Sequence, residues 1–416
     1  MSSSRTGCRL VVVTPYYAPE HSGTAPYVTA VTEHLARTND VTVLTGVPHY
    51  PEWRIREGYR RWRVEERSDR LRVVRLLHYV PSRQTALHRG VYEVSFAARA
   101  FAAGARGSVD AVLAFGPPVL STDAAQGLAR RHRAGFGVFV HDLAGLGARE
   151  SGIPGGARVA ALVGAFEGRT LRSADGIVVL HDRFRRPLTE QLGVDDSRVT
   201  VIRNWVHVVV DPDESSKSSM QTRLRLGWGD ETVVLHTGNM GLKQGLENVI
   251  DAARLAEGRG DRVRFVLMGD GNQREPLERL AADVRTIDVV DPLPEADYVA
   301  ALRAADVLLV NEREGMAEMS VPSKLTSYFY AGRPVVAATD PDSPTASEMQ
   351  ASGAGPIVPS GDPNALLNSV LALTADAALA AVYGAAARSF ADEHFDAEKA
   401  LARYDAWIDR IVAPRR

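Results

Sequence analysis

The chain has 416 residues, 45% of them hydrophobic and 24% charged, with 49 Lys and Arg against 51 Asp and Glu and a formal net charge of −2. That length exceeds what one core usually fills, so two domains are expected, and the near-neutral balance excludes a dedicated basic nucleic-acid binder. The lone cysteine, Cys8, excludes an internal disulfide and a multi-thiolate metal site, and no run approaches the roughly 18 apolar residues that span a bilayer.

The chain opens with a short polar stretch, Met1 to Gly7, and an apolar run no longer than LVVV. That is too brief for a secretory signal, so a cytoplasmic location is expected. Short apolar strands follow, alternating with helical patterns: RLVVVTP (9–15), DVTVLTG (40–46), LRVVRLL (71–77), DAVLAFG (110–116), GFGVFVH (135–141), ADGIVVL (174–180) and RVTVIRN (198–204). After Asn204, HVVVDPDESSKSSMQTR is polar, serine-rich and aperiodic, and reads as a linker. A second series then runs through TVVLHTG (232–238), VRFVLMGDG (263–271), ADVLLVN (305–311) and RPVVAAT (333–339).

This alternation predicts an α/β fold with parallel sheets, arranged as two facing Rossmann-like domains with a cleft between them. The expected boundaries are 1–205, 206–396 and a C-terminal segment 397–416. In that segment AEKALARYDAWIDRIV (397–412) places Leu401, Tyr404, Trp407 and Ile411 on one helix face. The helix either closes the second domain or crosses back to the first.

The most informative stretch is HTGNMGLKQGLENVI (236–250). A β-branched strand enters it and an amphipathic helix leaves it, with Gly238, Gly241, Lys243 and Gly245 between. Glycines let backbone approach an anion, a helix N-terminus attracts phosphate, and Lys243 adds a full charge in the first turn. The plainer reading is a tight turn with a solvated lysine. It is not a Walker loop, because no Ser or Thr follows Lys243 in the required frame.

Three other segments carry chemistry. PYYAPEHSGTAPYV (15–28) sets Ser22, Gly23 and Thr24 before a helix. FVHDLAG (139–145) puts His141 and Asp142 at the C-terminal end of a strand, where open α/β sheets bind ligands. A capping Asp and a backbone-bonded His are the plainer reading there. NEREGMAEMSVPSKLTSYFYAGRPVVAA (311–338) carries Glu312, Glu314 and Glu318, then PSKL, then a helix.

Taken together, YYAPEHSGTAPYV, GVPHYPEW (46–53), IRNWV (202–206), GNMGLKQGLENVIDAA (238–253), MGDGNQREPLE (268–278) and VPSKLTSYFYAGRPVVA (321–337) resemble retaining glycosyltransferases of family 4 with the GT-B fold. The resemblance runs over most of the chain and is strongest to the colanic-acid and N-acetylfucosamine-type polysaccharide branch. It implies a nucleotide-sugar donor, usually a UDP-sugar, held by the second domain, and a saccharide, lipid-linked or small-molecule acceptor against the first. No cofactor and no metal are implied, since protein charge stands in for a divalent cation. Lys243, Asp142, His141 and Glu318 are the implied catalytic residues. Gly23, Thr24, Gly238, Asn239, Gly241, Gly269, Glu314, Lys324, Leu325 and Ser327 are the implied donor contacts.

Two departures stand out. Asn239 lies near the position of the family's phosphate-loop Arg, so Lys324 is the candidate second cation. Ser327 lies where the family's ribose-binding Glu falls, and the first of its paired glutamates falls near Glu318 or Glu314.

The arginine- and aromatic-rich WRIREGYRRWRVEERSDRLRVVR (53–75) reads either as a peripheral contact with anionic membrane at its inner face or as a solvated, partly paired surface. Asp175 and Asp306 precede buried strands and read as structural; Asn204 reads as a hinge residue. Three rival functions remain. A dinucleotide oxidoreductase lacks its GxGxxG after the first strand. A sugar-nucleotide epimerase and a non-catalytic nucleotide-sugar binder share the fold.

Overall fold

In a computed structural model, described for residues 7–20, 23–50, 52–83, 85–116, 119–141, 143, 156–206, 216–315 and 323–412, the chain divides into two compact units. One comprises Met1–Arg203 with Glu398–Arg416, the other Asn204–Ala397.

The first unit is built on eight strands: β1 (Arg9–Thr14), β2 (Asp40–Gly46), β3 (Arg63–Ser68), β4 (Leu71–Leu76), β5 (Ala111–Phe115), β6 (Gly135–Val140), β7 (Gly176–Val179) and β8 (Val199–Val201). Their order is β3-β4-β2-β1-β5-β6-β7-β8, parallel except for the antiparallel β3–β4 pair. Around the sheet stand α1 (Ala25–Leu35), α2 (Ala86–Ala103), α3 (Val119–His132) and α4 (Gly156–Arg172). β5 and β6 are buried along their whole length, which is why they read as unbroken apolar runs and not as alternation.

β3 lies inside the segment read as an arginine-rich patch. It has no apolar face and is exposed at five of its six positions. Ion pairs hold it to its neighbour: Glu65 to Arg72 at 2.9 Å and Glu66 to Arg75 at 2.7 Å. The 63–75 half of the patch is therefore a paired, charged sheet edge, which also discourages pairing with another chain.

The second unit has six parallel strands, β9 (Thr232–Asn239), β10 (Val263–Asp270), β11 (Ile287–Val290), β12 (Val307–Asn311), β13 (Val335–Ala338) and β14 (Ile357–Val358), ordered β11-β10-β9-β12-β13-β14. This is the 3-2-1-4-5-6 order of a Rossmann sheet, in which the strand order reverses between β9 and β12 and opens a crevice at their C-terminal ends. Its helices are α5 (Ser216–Arg225), α6 (Glu247–Arg259), α7 (Arg274–Ala281), α8 (Glu295–Ala304), α9 (Lys324–Ala331), α10 (Pro344–Ser352), α11 (Pro363–Ala375) and α12 (Ala377–His394). Successive β9 residues feed the two apolar layers, Val234 on one face and Val233 and Leu235 on the other.

One expectation changes here, and one left open is decided. The serine-rich stretch expected to be a linker ends in helix α5. Its Met220 and Leu224 are 69% and 74% exposed, so no apolar stripe announces it. Arg223 holds it instead, donating to the carbonyls of Gly229, Glu231 and Ala304 and to Asp306. The final helix, α13 (Ala397–Val412), belongs to the first unit. A Cβ on Gly137 or Gly176 would lie 2.7 Å from the Trp407 indole, so those glycines let the helix nest on β6 and β7. Asp175 and Asp306 are structural, accepting the amides of Phe136 and Val233 at 2.8 Å.

Buried imidazoles give the first unit a pH signature. His49 and His78 stand 5.1 Å apart, each with Nδ1 placed to donate to a backbone carbonyl, Val47 and Leu76. Burial pushes them down to about 4 and about 3, and His141 to about 3. Between pH 6.5 and 4 the unfolded imidazoles take up protons that the native ones refuse, so stability falls as pH falls through that window. Glu20, raised by its own burial, works the other way with a single proton. A loss of several kcal/mol, on the order of 3 for each imidazole, is expected in thermal melts across this range. The double variant His49→Gln/His78→Gln should reduce it, with His141 supplying what remains; an unchanged pH slope would remove the two substituted rings as its cause.

Candidate functional site

The site in the second unit starts where β9 ends. Gly238 adopts φ 103°, a left-handed value open to glycine, and the chain turns away from the sheet. Leu242–Gln244 then forms one turn of 3₁₀-helix, and Gly245, at φ 53°, breaks it before α6 begins at Glu247. Lys243 therefore sits on a separate 3₁₀ turn and not in the first turn of α6. Two of the amides at the start of α6 are engaged: Asn248 and Val249 donate to the carbonyls of Gly245 and Leu246 at 3.1 and 3.0 Å. The Gly241 amide donates to Gln244 Oε1 at 3.0 Å. Lys243 brings its charge to this turn on the 3₁₀ segment itself.

The turn is pinned from both sides. From β12, the Asn311 carboxamide donates to the carbonyls of Gln244 and Gly245 at 2.7 and 2.9 Å and accepts from Asn248 at 2.8 Å. Beyond it, the Arg313 amide donates to the Lys243 carbonyl at 2.8 Å. From β10, Met240 exchanges backbone bonds with Asp270 and Gln273 at 2.8 and 2.9 Å. Asn239, exposed at the strand end, lays its side chain beside Gly241 and Gly271. Asn311 went unnoticed in the sequence because its partners lie 63 to 67 residues away.

The second cation enters from α9. Lys324 Nζ lies 3.1 Å from His236 Nε2, and a Cβ on Gly238 would sit 3.9 Å from that ammonium. His236 is fully buried, its Nδ1 3.1 Å from the Leu309 carbonyl, and burial with the nearby ammonium keeps it neutral. It can therefore accept from Lys324 and hold it at the mouth of β9. Tyr328 accepts the Thr237 amide at 2.8 Å and closes the strand end beneath.

Other expected donor contacts are placed differently. Gly269 lies directly under the Gly238 carbonyl and serves the close approach of β9 and β10. Leu325 is 1% exposed in the apolar core, leaving only its backbone for a ligand. Ser327 is 5% exposed, so its hydroxyl is buried inside the unit. Glu314 stands exposed on the loop after β12, near Gly361. Glu312 is buried at 4% and accepts from the hydroxyls of Thr339 and Thr345.

In the first unit, Gly23 has φ 63° and Thr24 precedes α1, its hydroxyl buried with no hydrogen-bond partner among the described residues. Glu20 shapes this loop by accepting the amides of Tyr17, His49 and Tyr50 at 3.3, 2.8 and 2.8 Å. His141 follows β6 and packs edge-on against Phe139 with ring centroids 4.2 Å apart. Its Nε2 is buried with no hydrogen-bond partner among the described residues. Asp142, Glu318 and Ser22 lie outside the described residues. Among the described residues no group of three or more His, Cys, Asp or Glu is placed to hold a metal ion.

Comparison with known proteins finds two family patterns in chain order. Residues 22–205 match the Glycosyl transferase 4-like domain, and residues 231–376 match Glycosyl transferases group 1. The putative colanic acid biosynthesis glycosyl transferase WcaI of Escherichia coli K12 is 31% identical over 332 residues, spanning 76% of this chain and 79% of that one. Among solved structures, sucrose-phosphate synthase from Thermosynechococcus elongatus superposes with TM-score 0.73 at 18% identity, over 98% of this chain and 99% of that one. Anabaena HepE, solved with UDP-glucose, superposes with TM-score 0.67 at 15% identity, over 97% and 99%.

Proposed function

The chain belongs to glycosyltransferase family 4, in its colanic-acid-type branch with the GT-B fold, and on that premise we propose that it moves a sugar from a UDP-sugar to a saccharide acceptor with retention of anomeric configuration. The observation that carries this reading is the pinned turn after β9, with Lys243 on it and the Lys324 ammonium beside Gly238. Two cations at a Rossmann crevice suit a diphosphate. HepE, of the same fold, is solved with UDP and with UDP-glucose.

In the proposed reaction the bond between the anomeric carbon and the β-phosphate oxygen breaks through an oxocarbenium-like state. Negative charge grows on the leaving diphosphate, and fixed positive charge stabilises that state more than the ground state. The acceptor hydroxyl attacks the same face, its oxygen bonds the anomeric carbon, and its proton passes to the departing phosphate. His141 and Asp142 are assigned to the sugar and acceptor side, and Glu318 to the donor sugar. With Ser327 buried inside the unit and Glu314 exposed, Glu314 is the better candidate for the ribose. The acceptor is assigned to a lipid-linked polysaccharide intermediate, met at the inner face of the membrane.

Protein charge replaces a divalent cation in this scheme. Turnover of UDP-sugar onto a saccharide acceptor is expected to persist in excess chelator. Loss of activity with chelator and its return with magnesium would count against the scheme. The anomeric configuration of the product, read by NMR coupling, tests retention in the same sample; free epimerised sugar without acceptor would point to an epimerase instead.

A further inference from the structure

No single helix among the described residues is long and apolar enough to cross a bilayer, yet α2 wears its apolar residues outward. Its inner face, Tyr92, Phe96 and Ala100, is buried at 1% or less. On the opposite face Leu87, Val91 and Val94 are 76%, 45% and 56% exposed, and Phe101, 43% exposed, lies with its ring partly against Gly127 of α3. Gly90, Ala98 and Ala102 fill the gaps between them, also exposed. At 3.6 residues per turn these positions form one stripe, about 22 Å long, without a charged side chain. A surface helix in water normally reverses this pattern, and contiguous exposed apolar surface marks an interaction site.

What surrounds the stripe specifies the partner. His88, Ser95 and Arg99 form the flank beside it. Tyr79 stacks on His88 and donates its amide to Ser95 Oγ at 3.0 Å. Trp62, 72% exposed, lies under the Arg99 guanidinium at 3.3 Å, and Arg99 also donates to its carbonyl. Two exposed aromatic rings thus border the stripe. The segment leading to Trp62 forms a groove of about 820 Å³ lined by Arg54, Arg56, Arg60 and Arg61 against Glu52 and Glu57. Unlike the 63–75 half of the patch, this stretch is not tied into the sheet by the ion pairs that hold β3. An apolar helix face, bordering Trp and Tyr, and clustered arginines form the combination that settles into the interface of an anionic bilayer.

We propose that the outer face of α2, with Trp62 and the Arg54–Arg61 segment, seats the first unit on an anionic membrane surface. The apolar stripe enters the acyl boundary, the rings sit at headgroup level and the arginines meet the phosphates. This would bring the unit to a lipid-borne acceptor, but it rests on the exposed surface and not on the activity.

The test is co-sedimentation of the full chain with phosphatidylcholine vesicles and with vesicles containing phosphatidylglycerol. Binding is expected to the anionic vesicles and to weaken with salt. Val91→Glu/Val94→Glu and, separately, Arg60→Glu/Arg61→Glu should each reduce it about tenfold or more, since every 1.4 kcal/mol is a factor of ten. Leu87→Gln, the most exposed of the stripe, should give a smaller loss. Calorimetric titration with UDP, unchanged in these variants, reports on the other unit: UDP binding without lipid binding overturns this inference alone, and the converse overturns the donor reading alone. Equal vesicle binding by Val91→Glu/Val94→Glu would overturn the proposal. So would a wild-type dimer in light scattering that the same substitutions dissociate, without vesicle binding, because the face would then meet a second copy.

Discussion

Lys243→Ala is expected to lower turnover about 100-fold or more, on the order of 3 kcal/mol of transition-state stabilisation, while the protein stays folded. Lys243 is exposed on its 3₁₀ turn. The turn is held through its backbone, by the bond from the Arg313 amide to the Lys243 carbonyl and by Asn311 on Gln244 and Gly245. Alanine keeps every one of those backbone bonds, so the turn is expected to hold while its charge is lost. If the cation acts mainly on the departing diphosphate, kcat should fall more than KM rises. Thermal melting within a degree or so of wild type, with turnover down, is the expected pair of results. Unchanged turnover in the folded variant would remove Lys243 from the chemistry.

Asn311→Asp is expected to cost on the order of 3 kcal/mol in stability and to carry turnover down with it. The substitution keeps the shape of a side chain that is 1% exposed. It replaces an NH₂ that donates at 2.7 and 2.9 Å to two carbonyls by an oxygen that faces them. Two repelling contacts and a poorly solvated carboxylate take the place of two hydrogen bonds. The turn should detach from β12 and Lys243 should lose its fixed position. Lys243→Ala/Asn311→Asp together should then lose little more turnover than the worse single variant, because both act through one group. Additive losses would show that Asn311 supports something other than this turn.

Much of the fold was legible because buried parallel strands are apolar runs. β2 (Asp40–Gly46) matches its reading end for end, and β1, β5, β6 and β9 differ by one or two residues. The strands that went unread lack that signal. β3 is charged and held by ion pairs, β11 is Ile-Asp-Val-Val, and β14 has two residues. The Lys243 turn was visible as glycines around a lysine, but its 3₁₀ geometry depends on Asn311 and Arg313, which chain proximity does not bring near. The same holds for His236: one more residue of an apolar strand in sequence, it meets Lys324 only through an 88-residue separation. The apolar face of α2 was missed because periodicity marks a stripe without saying which side faces the core. Burial of Tyr92 and Phe96 on the opposite side decides that.

The central claim is that the turn after β9 binds a nucleotide diphosphate through its cations. Calorimetric titration of the full chain with UDP and with uridine, repeated on Lys243→Ala, tests it most directly. UDP should bind at least about tenfold more tightly than uridine, a difference of about 1.4 kcal/mol, and most of that difference should vanish in Lys243→Ala. Equal binding of UDP and uridine, or a UDP preference untouched by the substitution, would contradict it.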